Sequence, residues 1–208
     1  MGFMDDDFID LPLGEPDDSR FEVDKNVNVE TIDDYLGIPG VAYRDMRFLD
    51  DTARWGDIGG DPKLTFTIEG FQIVPWPYIG TLGDIPVPGG YKGSSLFEVT
   101  WEKGEKRAFI AEAKPNYAES LQIVEELFPR DEPIVMVCGG GGYSGMMRWL
   151  LGYLGWDLSQ VYNIGAGWHY KGDHKLHLIE EDEAGVKHQR MWRAHYTDIN
   201  FNQLTPLE

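Results

Sequence analysis

The stretch EPIVMVC (Glu132–Cys138) constrains this chain more than any other. It is a short unbroken apolar run, the mark of a strand buried on both faces of a parallel sheet. Four glycines follow it at once. Then comes SGMMRWLLGYLG (Ser144–Gly155), with Met147, Leu150, Leu151 and Leu154 in line at helical spacing. QVYNIGAGW (Gln160–Trp168) is a second short buried strand running into a glycine turn. Strand, loop, helix, strand at this spacing is a βαβ unit, so the expected fold class is α/β with a mainly parallel sheet.

The flanking segments add elements around this unit. Residues 1–25 are acidic with scattered Pro and Gly, and read as an extended arm ordered by docking. NVNVETIDDYLG (Asn26–Gly37) predicts a short helix, with Asn28 as N-cap and Gly37 and Pro39 ending it. GVAYRDMR (Gly40–Arg47) predicts a buried strand whose end carries Arg44, Asp45 and Arg47. A long irregular stretch centred on GDIGGDP precedes TFTIEGFQIVPWP (Thr65–Pro77), which is strand-like. Pro75, Pro77 and Pro86 then argue against a central strand or a helix. SLFEVTWEKGEKRAFI (Ser95–Ile110) reads as a hairpin turning at Lys103–Gly104. NYAESLQIVEELFP (Asn116–Pro129) reads as an amphipathic helix with Leu121, Val124, Leu127 and Phe128 on one stripe. The tail from His169 onward holds all five histidines and receives no assigned structure.

Composition excludes some partners. The chain has 208 residues, enough for one proper core, and 42% hydrophobic content. Lys+Arg is 18 against 36 Asp+Glu, a formal charge of -18. Nucleic acid and anionic membranes demand a cationic surface, so neither is expected as a partner. No run of about 18 apolar residues predicts a membrane span. The N-terminus lacks a signal-peptide core, and the chain as it stands reads as cytoplasmic. The final Leu207–Glu208 fits a vector remnant, and a leader trimmed from the front would make the protein an exported one. One cysteine allows neither an internal disulfide nor a cysteine-based zinc site. His174 and His177, three apart, have a spacing that suits a metal on a helix, but Gly172 and Asp173 before them favour a polar loop. No metal and no cofactor are expected.

The single thiol, Cys138, stands directly before the glycines, and three readings compete for that loop. Gly140, Gly142 and Gly145 fit a dinucleotide fingerprint, but the acid expected after the next strand is missing, and Asn163 stands there. A phosphate-binding P-loop needs Lys and Ser/Thr after the last glycine, where this chain has Met146 and Met147. The third reading is a nucleophile at the carboxyl end of a parallel strand, where open α/β sheets place their chemistry. Backbone N–H groups from Gly139, Gly140, Gly141, Gly142, Tyr143 and Ser144 can converge on the sulfur as an anion nest. The next helix adds the positive end of its dipole. Both effects lower a thiol pKa. The bland alternative is a small buried hydrophobe, which leaves the glycines unexplained.

These residues resemble the rhodanese-like (sulfurtransferase) family. The resemblance rests on Cys138, Gly141 and Ser144 in the loop, VYNIGAGW (Val161–Trp168), Asp45 and Arg47 in YRDMR, and EGFQIVPW through Trp76. It implies a three-layer fold, a central mainly parallel sheet with helices on both faces, over about residues 26–172. An insertion at about 78–115 and a C-terminal extension over 173–208 complete the organisation. Trp76, Tyr78, Tyr91, Phe97 and Trp101 of that region shape the pocket or pack a satellite core. The loop departs from the family in carrying no basic residue: Tyr143 stands where Arg is common. Ser144 stands where related cysteine phosphatases carry Arg, which argues against phosphatase activity.

The resemblance implies sulfane sulfur transfer through a Cys138 persulfide. The partners would be a small sulfur-containing anion or persulfide donor and a thiol or cyanide acceptor. Ser144 then bonds the sulfur or caps the helix. Tyr143 and Trp168 wall the pocket or belong to the core. Arg148 is the nearest basic group for donor recognition, or else an exposed helix residue. Asp45 and Arg47 support the scaffold. The rival is a non-catalytic rhodanese-like binding module, or a persulfide or redox sensor with no resolving cysteine.

Overall fold

The computed structural model describes residues 10–48, 65–81, 91 and 93–208. The first nine residues of the arm, the stretch around GDIGGDP, and Pro86 with its neighbours in the expected insertion lie outside the described residues. In chain order the strands are β1 (Ala42–Asp45), β2 (Phe66–Ile68), β3 (Gln72–Ile73), β4 (Phe97–Lys103), β5 (Ala108–Pro115), β6 (Ile134–Cys138), β7 (Val161–Ala166), β8 (Lys175–His177), β9 (Ile179–Glu181) and β10 (Lys187–Gln189). The α-helices are α1 (Trp76–Ile79), α2 (Ser120–Leu127) and α3 (Gly142–Tyr153).

Strands β3, β1, β6 and β7 form a parallel sheet in that order. All five residues of β6 are buried, as an interior strand with both faces covered requires. Its side chains alternate between two cores. Ile134, Met136 and Cys138 enter a cluster with Phe128, Met147, Leu150 and Leu151, while Val135 and Val137 join Val27, Ile32, Tyr162 and Ile164. Residues of α1, α2 and α3 all belong to the first cluster. The second is covered by a 3₁₀ turn, Ile32–Tyr35, and extended chain. The expectation of helices on both faces is therefore corrected: among the described residues the α-helices take one side.

The reason lies partly in residues 26–37. Asn28 closes a turn by accepting the Glu30 N–H at 3.0 Å instead of capping an α-helix. Asn and Asp compete with the helix for local backbone groups, and here they win. The prolines are a second correction. Pro77 sits in the first turn of the one-turn helix α1, a place where its missing N–H costs nothing.

The β4–β5 hairpin is antiparallel and lies against α3, where Trp101 meets Trp149 edge-on at 6.0 Å. Trp76 and Phe97 are buried in the main helical-side core, and Tyr91 packs on Phe48 and Tyr78. The tail pairs β8 with β2 antiparallel and β10 with β9. Both edges of the central sheet are covered by the terminal segments. Asp24 and Val29 donate N–H groups to Asn163 and Ile164 of β7 at 2.8 and 3.0 Å. At the other edge Ile73 of β3 donates to His195 at 2.7 Å and accepts from Thr197 at 2.8 Å. Among the described residues no helix is long and apolar enough to cross a membrane.

Candidate active site around Cys138

Cys138 closes β6, at the carboxyl end of an interior strand, and is only 3% exposed. The connection to α3 is short: Gly139 to Gly141, with the helix starting at Gly142. Gly141 precedes the helix in the left-handed region at φ 89°, a conformation most L-residues avoid. This turn brings the Gly141 N–H to 3.1 Å from Sγ and the Ser144 Oγ to 3.4 Å. The backbone N–H groups of Tyr143 and Ser144 also favour the thiolate.

The opposing effect is larger. Burial pushes the Cys138 thiol above its ordinary value, and the nearby Asp45 charge adds to it. The hydrogen bonds from Ser144 and Tyr143 pull the other way without overcoming desolvation. The expectation of a lowered thiol pKa thus fails for the closed site, because sequence shows donors more readily than it shows burial.

Ser144 has one hydroxyl proton and several acceptors. Asn163 Oδ1 is nearest at 2.7 Å, Gly141 O lies at 3.2 Å and the sulfur at 3.4 Å. The Asn163 amide is held from both ends. Its Oδ1 also accepts from Gly165 N–H at 3.0 Å, and its Nδ2 donates to Phe21 O at 2.8 Å and Gly141 O at 3.1 Å. That pattern fixes which end is oxygen. The serine proton therefore belongs to Asn163 when sulfur is a neutral thiol, and the S–H can donate to the serine oxygen. When sulfur carries charge, the same hydroxyl can rotate to donate to it.

The β6–β7 register places Met136 opposite Asn163 and Cys138 opposite Ala166, so β7 carries one residue more. This is a bulge in effect, and Gly165 within it has φ 91°. The extra residue re-aims β7 beside the cysteine loop. Trp168 follows, its ring against Gly139 and Gly140 and its backbone N–H directed to Gly139 O at 3.3 Å. Tyr143 is buried in the helical-side core.

The other expected residues are placed as follows. Asp45 and Arg47 form a buried ion pair at 2.5 Å, with Thr67 Oγ1 donating to Asp45 at 2.7 Å. Arg148 is neither exposed nor turned to the sulfur. It is 6% exposed and donates to Val161 O at 3.0 Å, Leu158 O at 3.3 Å and Glu22 Oε2 at 3.1 Å. Burial lowers its pKa, and the Asp24 charge opposes that. His177 lies in β8 and His174 just before it, so the two do not share a helix face. Among the described residues no three His, Cys, Asp or Glu side chains cluster to hold a metal.

Two parts of the site escape sequence reading. Asn163 registers there only as a missing acid, although a polar residue inside an apolar strand is itself a signal of a buried partner. The arm contributes Phe21 through Asp24, and nothing local in those residues reveals where they dock. Comparison with protein-family models, curated proteins and solved structures finds no significant match.

Proposed function

We propose that this protein is a rhodanese-like sulfurtransferase that carries sulfane sulfur on Cys138. The observation that supports it most is the sulfur's placement: the end of an interior parallel strand, with the Gly141 N–H at 3.1 Å and the Ser144 hydroxyl at 3.4 Å. In the first half-reaction the Cys138 thiolate attacks the outer sulfur of thiosulfate. The new S–S bond forms as the old one breaks, and sulfite leaves with the bonding pair. Cys138 then bears a persulfide whose terminal sulfur is negative. The loop N–H groups and the Ser144 hydroxyl stabilise that charge as an oxyanion hole would. A thiolate or cyanide next attacks the terminal sulfur, and the Cys138 thiolate departs. With cyanide the product is thiocyanate.

The second reading is a persulfide or redox sensor on the same cysteine. It is favoured by the burial of Cys138 and by a loop from Gly139 to Ser144 with no basic side chain to hold a dianion. A polysulfide or persulfide donor, with less charge to neutralise than thiosulfate, suits both readings better.

Intact-protein mass after thiosulfate or polysulfide, for wild type and Cys138→Ser, tests the proposal. The expected outcome is the gain of one sulfur atom that requires Cys138. Cyanide should remove it, with thiocyanate appearing. Sulfur that loads but never leaves to cyanide or a thiol would select the sensor. A thiol that neither donor modifies would end both.

A further inference from the structure

Cys138 has its donors in place, yet it is 3% exposed. Trp168 lies against Gly139 and Gly140 on one flank of the loop. On the other flank is the N-terminal arm. Phe21 packs against Gly141 and Gly145, where a Cβ at Gly145 would stand 3.1 Å from Phe21 O. Val23 packs at Gly165, and a Cβ there would stand 3.1 Å from Val23 Cγ1. Phe21 O accepts from Asn163, which in turn holds the Ser144 hydroxyl beside the sulfur.

Between these contacts one side chain also ties the arm to elements outside the central sheet. The Glu22 carboxylate accepts from Trp149 Nε1 at 2.7 Å, from Arg148 Nη1 at 3.1 Å and from Arg107. These three donors come from α3 and the hairpin, so one side chain ties the arm to two other elements. Among the described residues Glu22 is the only non-glycine with positive φ, at 54°. A strained backbone kept in place by a charged side chain is a contact that can be released as a unit.

We propose that Phe21–Asp24 form a strap that closes the Cys138 site, and that Glu22 is its fastener. With the strap down, the thiol is buried, protonated and out of reach of a donor. With the strap lifted, the loop opens on the side of Asn163 and Ser144, and desolvation of the sulfur is relieved. The inference builds on Cys138 as the reacting atom of the proposed function. Its test reads the thiol directly and needs no sulfur transfer.

The test is alkylation of Cys138 by iodoacetamide in the full chain, followed by intact mass. Wild type should react far more slowly than the urea-unfolded chain. Glu22→Gly removes the fastener while accommodating the positive φ, and should speed alkylation about tenfold. Arg107→Gln removes one donor on the hairpin and should give a smaller rise, keeping the test valid if the first variant folds poorly. Hydrogen exchange on the same samples locates the change. The amides of Gly14, Asp17 and Asp24 should lose protection while those of β6 keep theirs. Wild-type reactivity equal to the unfolded chain, or no rise in either variant, overturns the strap. So does a rise in which β6 loses protection equally, because that is global loosening.

Discussion

The two edges of the central sheet are closed by the two terminal segments, and they are closed by different physics. At β3 the C-terminal segment adds a parallel bridge at Tyr196 and backs it with apolar burial. Leu178 and Ile73 are fully buried there, with Leu176, Met191 and Tyr196 packed around them. At β7 the N-terminal segment also buries Val27 and Ile32 against Tyr162 and Ile164, but over Phe21–Asp24, beside the cysteine loop, it is held largely by polar bonds. Asp24, 3% exposed, organises the segment from within by accepting the N–H groups of Glu15, Asn26 and Val27 at 2.6, 2.9 and 2.7 Å, and Glu22 takes its three donors from α3 and the hairpin. Apolar burial is non-directional and belongs to the whole core. Charge-assisted bonds are local and can be lost together. The β3 edge is thus backed by apolar burial, whereas the short stretch Phe21–Asp24 beside Cys138 rests on bonds that can be lost together.

The largest test of that contrast is at the apolar edge. Leu178→Ala should cost about 2–5 kcal/mol, the usual range for truncating a buried leucine. The loss should appear as a lower midpoint in a single denaturant transition, with the slope unchanged. A separate early transition confined to the C-terminal segment would break the comparison, since it would make that edge as detachable as the other.

The matching change at the polar edge is Asp24→Ala, which strands three backbone donors. The expected cost is about 2–3 kcal/mol, since unpaired buried groups bear their own desolvation penalty. Here the loss should be local. Hydrogen exchange should show the arm opening ahead of the sheet, and Cys138 alkylation should quicken. Unchanged arm protection would mean that the carboxylate is not what organises this segment.

The contrast also explains what was legible in the sequence. The βαβ unit was plain because EPIVMVC and the Met147–Leu154 stripe are local patterns with one physical solution, and β6, α3 and β7 follow them. The hairpin was readable for the same reason, but not its bounds: Lys103 still pairs with Ala108, so the turn is Gly104–Arg107 rather than Lys103–Gly104, and the second strand runs to Pro115 rather than ending at Ile110. The α2 stripe was less exact: Leu121 is 41% exposed while Ser120 is buried and donates to Leu96 O at 2.7 Å. Strand β8 carries no local signal because its partner is the distant β2, whereas β9 and β10 are a local hairpin turning through Asp182–Gly185 that the sequence reading passed over. Docking of the arm includes an ion cluster assembled from Glu22, Arg107 and Arg148, residues far apart in sequence. The cysteine could be singled out from the glycines after it. Its burial, and the Asn163–Ser144 pair that faces it, required the fold.

Ser144 sharpens the picture inside the site. Ser144→Ala removes the hydroxyl shared by Asn163 and the sulfur. The expected cost is about 1 kcal/mol in stability, the net worth of a typical hydrogen bond. The thiol should also become harder to ionise, since the Ser144 side chain is the largest effect lowering its pKa. The pH profile of alkylation should therefore shift to higher pH in the variant. A shift to lower pH would show that Ser144 favours the neutral thiol.

At neutral pH the smallest effect is the one the thiol itself imposes on stability. Burial raises the Cys138 pKa in the folded state above its unfolded value of about 8.5. The folded protein therefore holds its proton at pH values where the unfolded chain has released it. The sign follows from linkage: the contribution is fully present below the unfolded pKa and is lost as pH rises through the folded one. Tyr162, which donates to Pro12 O at 2.6 Å and whose pKa is pushed up to about 12 by burial, behaves the same way at higher pH. Subtracting a Cys138→Ala variant removes this tyrosine background. The difference in unfolding free energy should be flat at neutral pH. Above about pH 8.5 it should fall against the wild type by no more than about 1.4 kcal/mol per pH unit. A flat difference to pH 10 would mean that the sulfur ionises as easily folded as unfolded, and that the strap does not keep the thiol neutral.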